Sequence, residues 1–309
     1  MPLSLNDNHH LINYHYVEDP RDDFKGAHPC PIAEFERQVK FMTEHGRVVA
    51  IPELVDAALQ ESEEKLFAIT FDDGLLDQYE NAVPILKKYA TTAAFFPITK
   101  TFDGLMPQTH KMHLLLSRFP AEELIDEVNG FIRRMRWTYQ PIPKDRRITE
   151  KRKLRDDVLT ANFKEMLNVV SAGEQESILN ALFEKLELNE KELSGDFFMT
   201  PEQLKGLSDS GFEIGYHSHN HYALDLQPRE VVKEEFQKSK EYLLKLLNKF
   251  PTTISYPHGG ANKMVCDTAR AEGFTYGLTI ELRPVTSNDD PMLLPRYDTN
   301  DLRDALTKA

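Results

Sequence analysis

Seven short apolar runs, at residues 11–17, 47–51, 66–71, 92–97, 212–217, 253–257 and 275–280, set the tightest limit on how this chain can fold. Most are continuously apolar rather than alternating, the pattern of strands buried on both faces of a parallel sheet. Segments with helical spacing lie between many of them. Residues 31–45 place Ile32, Phe35, Val39 and Met42 on one stripe, and residues 228–249 do the same with Val232, Phe236, Leu243 and Leu247. Parallel strands need crossover connections, so the alternation predicts βα units that close into a barrel or an open α/β sheet. A chain of 309 residues can bury a substantial core as one large α/β domain or two small ones.

Residues 101–198 break the rhythm. This stretch reads as mostly helical and charged, with basic runs at Arg133-Arg134-Met135-Arg136 and Lys144-Asp145-Arg146-Arg147 and the single tryptophan, Trp137. An insertion of that length in a βα loop suits a helical lid or substrate wall, or equally a structural helical subdomain. Arginines in it could meet a phosphate, or simply form a solvated helix face. Thr200-Pro201-Glu202-Gln203 then has the form of a helix start, with a Thr cap, Pro at the first helical position and Gln at the third. The barrel rhythm resumes there.

Composition removes several function classes. The net charge of -13 repels phosphate backbones and argues against nucleic-acid binding. No apolar stretch reaches the roughly 18 residues of a membrane span, and the first ten residues lack a basic segment followed by an apolar one. Cys30 and Cys266 have no paired spacing. The resulting expectation is a cytoplasmic protein with free thiols; nothing in the sequence bears on its oligomeric state.

Two segments carry chemistry, each just past an apolar run where loops of α/β barrels gather into active sites. The first is Thr70-Phe71-Asp72-Asp73-Gly74. Adjacent carboxylates repel when both are ionised, so one is expected to hold a cation or a proton. Gly74 lets the backbone turn sharply, so that both can be aimed into one cleft. The second is His217-Ser218-His219-Asn220-His221. On a helical turn His217 and His221 share a face; on an extended segment His217, His219 and His221 do. One Asp, two His and an open position make a usual catalytic zinc-type ligand set.

These two segments resemble the first and second motifs of the polysaccharide deacetylase family, the NodB-like carbohydrate esterases that remove acetyl groups from glycans. The resemblance implies a distorted (β/α)7, TIM-like barrel across residues 1–309, with residues 101–198 as a helical insertion. It also implies Asp72 as general base and Asp73, His217 and His221 as ligands of one divalent metal. Zinc is the first expectation, although two histidines and an aspartate also accept cobalt, nickel or iron. His219 would then be a bystander or a group that supports the ligands without touching the metal.

The later motifs depart from the family. Ser255-Tyr256-Pro257-His258-Gly259-Gly260 carries Ser255 where many members have an arginine that orients the catalytic aspartate. Arg296, in Leu294-Pro295-Arg296-Tyr297-Asp298, is the candidate replacement. Tyr256 and His258 fall at the substrate and oxyanion positions, with the His258 backbone amide as the expected donor. Many members also use a late histidine as general acid, and no histidine follows His258 here. His15 is the candidate substitute, since the first and last strands of a barrel are neighbours, or it merely lines the pocket. The implied reaction is hydrolysis of an N-acetyl group on a glycan or an activated amino-sugar intermediate, nucleotide-linked or lipid-linked. The rivals are O-acetyl hydrolysis, hydrolysis of a non-sugar amide or cyclic imide, and a noncatalytic glycan-binding barrel that keeps its metal.

Overall fold

The computed structural model describes residues 3–4, 6–21, 28–148, 156–166 and 170–308. The chain divides into two compact units, one of Met1–Asp19, Pro29–Leu105 and Ser194–Ala309, the other of Pro20–His28 and Met106–Leu193. The strands all belong to the first. They are β1 (His9–Tyr14), β2 (Arg47–Val48), β3 (Leu66–Asp73), β4 (Ala94–Pro97), β5 (Glu213–Ile214), β6 (Thr253–Ser255), β7 (Tyr276–Leu278) and β8 (Tyr297–Asp298). Each of the seven apolar runs overlaps one of the first seven strands.

Every strand pairing is parallel. One sheet runs β5-β4-β3-β1-β8, with β2 also against β3, and β6 pairs β7 separately. Two parallel bridges, Tyr216 to Ile254 and Leu278 to Leu294, join these pieces end to end. The ring β1-β3-β4-β5-β6-β7-β8 is thereby closed, which is a distorted seven-stranded barrel. The distortion is local to residues 213–216. The Gly215 amide still donates to Phe95 of β4, but the next amide, Tyr216, donates to Thr253 of β6. The chain changes partners at Gly215, so the run at 212–217 yields a strand of only two residues. A Cβ at Gly215 would stand 2.3 Å from the Phe96 ring, so this corner requires glycine.

Period-two geometry sends successive strand residues to opposite faces. On β3, Phe67, Ile69 and Phe71 join the layer packed under helices such as Ile32–His45 and Arg229–Leu247. Phe71 stacks on Phe95, whose edge meets Phe212, contacts worth about 0.5–1.5 kcal/mol per aromatic pair beyond burial. The opposite face carries Leu66 and Ala68, which cluster with Leu11, Ala94, Phe96, Leu278 and Leu294 in the barrel interior. Continuing up that face from Leu11 and Ala68 come Asn13, Thr70 and Asp72. The interior is thus apolar at the strands' N-terminal end and polar at their C-terminal end.

The helical unit contains Gln108–Arg118, Ala121–Arg134, Val158–Met166 and Ala172–Lys185. Its own core includes Leu115, Ile125, Val128, Phe163, Ile178 and Leu179. Buried Asn162 donates to the carbonyls of Pro143 and Arg146 and accepts from the Ile148 amide, pinning the segment that bears the second basic run. Arg133, Arg134 and Arg136 are exposed. After this unit, the helix Pro201–Asp209 opens with a full capping box between Thr200 and Gln203. Among the described residues no helix is long and apolar enough to cross a membrane.

Candidate metal and carboxylate site

At the C-terminal end of β3 the backbone turns through Asp73 (φ 77°) and Gly74 (φ 72°). A left-handed aspartate is uncommon, and it separates the two neighbouring carboxylates. Asp72 keeps the strand geometry and points into the polar barrel interior, whereas Asp73 turns toward the histidine loop.

Asp72 is buried and held by cationic and amide donors. Arg296 Nη1 reaches Asp72 Oδ1 at 3.0 Å and Nη2 reaches Oδ2 at 2.9 Å, while Asn13 Nδ2 donates to Oδ2 at 3.0 Å. The guanidinium is itself 1% exposed and fully engaged: Nε donates to the Thr279 carbonyl, Nη1 also to Asn13 Oδ1, and Nη2 also to Ser255 Oγ. Ser255, standing where relatives often have an arginine, is thus a hydroxyl acceptor for an arginine delivered from just before β8. Burial alone would raise the Asp72 carboxyl, but the charges of Arg296 and His217 and the Arg296 hydrogen bonds outweigh it and hold it at about 2. It is a carboxylate at any physiological pH.

Asp73, His217 and His221 converge. Asp73 Oδ1 lies 3.3 Å from His217 Nε2 and 3.4 Å from His221 Nε2, and one ligand atom from each residue falls within 4.8 Å of the others. His217 Nδ1 meets the Ser255 carbonyl at 2.8 Å. A carbonyl only accepts, so Nδ1 carries the hydrogen and Nε2 can offer a lone pair to a cation. Ligands of a tetrahedral ion with bonds of about 2.0–2.1 Å stand about 3.3 Å apart. The donor types and both measured separations therefore fit a divalent ion of zinc size.

The histidine loop is neither helix nor strand. Ser218 (φ 62°) and His221 (φ 64°) are both left-handed, which brings His217 and His221 onto one side and turns His219 away. His219 Nδ1 is 3.0 Å from Thr99 Oγ1, and its ring stacks on Tyr242.

His15 follows β1 directly; its Nε2 is 4.0 Å from Asp72 Oδ2, and its side chain is 42% exposed. His258 sits in the turn Pro257–Gly259 with φ 57°, its ring centroid 4.6 Å from that of His221. Tyr256 requires a correction, because its side chain does not face the site. It is 1% exposed in the hydrophobic layer, and its hydroxyl points to Cys266 Sγ at 3.9 Å. As the last residue before the turn it alternates to the outer face, opposite Ser255. Sequence reasoning missed Asn13, Thr70 and Ser255 as partners of Arg296. The signal for the first two was present, since each is a polar residue inside an apolar run and Asn13 pairs in register with Thr70.

Comparison with known proteins agrees with this picture. The family model for polysaccharide deacetylase matches residues 60–116 and 156–277, more than half of the chain. The match enters both ends of the segment expected to be an unrelated insertion. The Bacillus subtilis protein YxkH is 37% identical over 87 residues, which cover 27% of this chain and 29% of that protein. A poly-beta-1,6-N-acetyl-D-glucosamine N-deacetylase of Staphylococcus aureus is 26% identical over 112 residues, 33% of this chain and 39% of its own length. The aligned part thus spans about a third of these relatives. The solved structure of the Streptococcus pyogenes deacetylase PplD in complex with acetate matches with a TM-score of 0.61 at 17% identity, covering 99% of both chains. IcaB from Ammonifex degensii matches with a TM-score of 0.59 at 18% identity, over 98% of this chain and 97% of that one. These two share the fold. With the motif pair at the strand ends and the family model covering most of the barrel, this chain belongs to the polysaccharide deacetylase family.

Proposed function

We propose that this protein hydrolyses the N-acetyl group of an acetylated amino-sugar unit, releasing acetate. The observation that carries the reading is the side-by-side placement of two sites at one barrel end. Asp73, His217 and His221 present a cation-ligand set, and immediately beside them Asp72 is held ionised by Arg296. The ligand set suits zinc, and an ion held there would polarise the acetyl carbonyl and make a water acidic enough to attack it.

The chain's own groups supply the rest. A carboxylate has about four acceptor positions, and the donors on Asp72 occupy three, leaving one on Oδ1 for a water proton. Its carboxyl, held at about 2, keeps that proton only transiently. His15, 4.0 Å away and reachable from solvent, is the group to which the proton passes and from which the leaving amine receives one. The His258 ring lies beside that of His221, and the backbone amide of His258, in the turn Pro257–Gly259, is the donor assigned here to the developing oxyanion.

The activity for which the Staphylococcus aureus relative is named supports an N-acetylglucosamine polymer as substrate. A nucleotide-linked or lipid-linked amino sugar is the alternative expected from the sequence, together with a cytoplasmic location. That location is consistent with the two free cysteines and is tested by cell fractionation. Acetate release from N-acetylglucosamine oligomers, compared with a nucleotide-linked N-acetyl amino sugar, separates the two substrates. Asp72→Asn should keep bound metal and lose turnover, whereas Asp73→Ala should lose metal. Full turnover in Asp72→Asn would remove the base from the proposal.

A further inference from the structure

Glu235 lies on the helix Arg229–Leu247 at the centre of its buried stripe, between Val232 and Ser239 and beside Phe236. It is 2% exposed, yet no Lys or Arg pairs with it among the described residues. Its carboxylate is given over to the metal-ligand loop instead. Oε2 accepts from the backbone amides of His219 (3.0 Å) and Asn220 (2.7 Å), and Oε1 accepts from Asn220 Nδ2 (2.6 Å). The Ser218 oxygen accepts from the His221 amide at 2.9 Å. Three donors from His219 and Asn220 therefore take up most of the acceptor positions of one carboxylate, and the Ser218 hydroxyl braces the far end of the loop.

Those residues fill the interval between His217 and His221, and they contain the conformation that needs support. Ser218 and His221 both stand in the left-handed region, where residues other than glycine persist only if their surroundings over-determine them. The other face of the loop is clamped more weakly, by the Thr99 amide on the Ser218 carbonyl (3.3 Å) and the Lys100 amide on the His219 carbonyl (3.1 Å). Glu235 acts on backbone N–H groups of the loop that no helix or strand satisfies.

We propose that Glu235 is a positioning residue for the metal centre: by gathering the amides of His219 and Asn220 it fixes the left-handed turns that bring the His217 and His221 rings together. The inference rests on the metal-site reading above. It does not place Glu235 in contact with metal or substrate.

Glutamine is the discriminating replacement. It has the same size and preserves packing, but one end of its amide is a donor and would face N–H groups that need an acceptor. Metal-free protein would be titrated with zinc by calorimetry and with cobalt by visible absorption, alongside thermal unfolding of the metal-free form. Glu235→Gln should bind zinc about 10- to 100-fold more weakly, as expected when the groups orienting metal ligands are lost, and should shift the cobalt band. The exposed neighbour Glu234→Gln should match the parent protein. If Glu235→Gln does not fold, Asn220→Ala carries the test, since it removes the Nδ2 donor to Glu235 Oε1 and should also weaken zinc binding. Parent-like zinc affinity and an unshifted cobalt band in the folded variant, even with a lowered melting temperature, would overturn the proposal. A parent protein that binds neither ion would instead overturn the metal reading itself.

Discussion

Replacing Arg296 with methionine isolates the interaction on which the barrel's polar end depends. Methionine fills much of the same volume but removes five N–H donors, two of which hold Asp72. Asp72 falls from 3.8 to about 2 in the folded protein, and at about 1.4 kcal/mol per unit this depression is worth about 2–3 kcal/mol. Truncation should cost more than that, about 3–5 kcal/mol, because the carboxylate stays buried without its partner. Urea unfolding of the metal-free protein at neutral pH measures it, with an unchanged denaturant slope showing that the compared states are the same. Asp72→Asn in the same background supplies the control. With the charge gone, Arg296→Met should cost at least 2 kcal/mol less than it does in the parent, since residues in contact are not additive. A loss below about 1 kcal/mol, or an equal loss in both backgrounds, would refute a stabilising Arg296–Asp72 pair.

Three further outcomes follow from the fold. His10 is fully buried against Phe67 and Tyr297, and burial, partly opposed by its bond to the Asp7 carbonyl, holds its pKa below 6.5. Its contribution to stability is complete above pH 6.5 and is lost as pH falls toward the folded value, so the parent's urea midpoint should drop between pH 7.5 and 5 more steeply than that of His10→Phe; equal slopes would remove His10 as the source. Gly215→Ala places a methyl 2.3 Å from the Phe96 ring and 2.8 Å from the Thr253 carbonyl, and overpacking of this kind should cost about 1–3 kcal/mol in the same assay. Thr200→Ala removes the capping box of the helix Pro201–Asp209 and should cost about 1 kcal/mol with metal affinity unchanged; a change in affinity would show that this helix start reaches the site.

The parts of this fold that were legible in the sequence are those with local causes. Apolar runs marked the first seven strands, and the Thr200 cap and the stripe at 32–42 marked helices within a residue or two. The eighth strand, Tyr297–Asp298, was invisible as a strand because two residues carry no period. At the site, neighbouring ligands in sequence were readable, but their directions were not. Whether His219 joins His217 and His221 depends on two left-handed residues, and these are set by Glu235, 14 residues beyond the loop. The carboxylate of Glu235 was hidden among the charges of its helix; its signal was an acid placed on the apolar stripe. Tyr256 was assigned to the site because it adjoins the turn, whereas strand alternation sends its side chain outward beside Cys266.

The central claim is that Asp73, His217 and His221 hold one catalytic cation next to Asp72. Its most direct test is to strip the protein with a chelator and titrate zinc back while following acetate release from N-acetylglucosamine oligomers. The account predicts no release from the stripped protein and a linear rise that stops at one zinc per chain, with no rise at all in His217→Ala. Undiminished release from the stripped protein, or full restoration of His217→Ala by one equivalent, would contradict it.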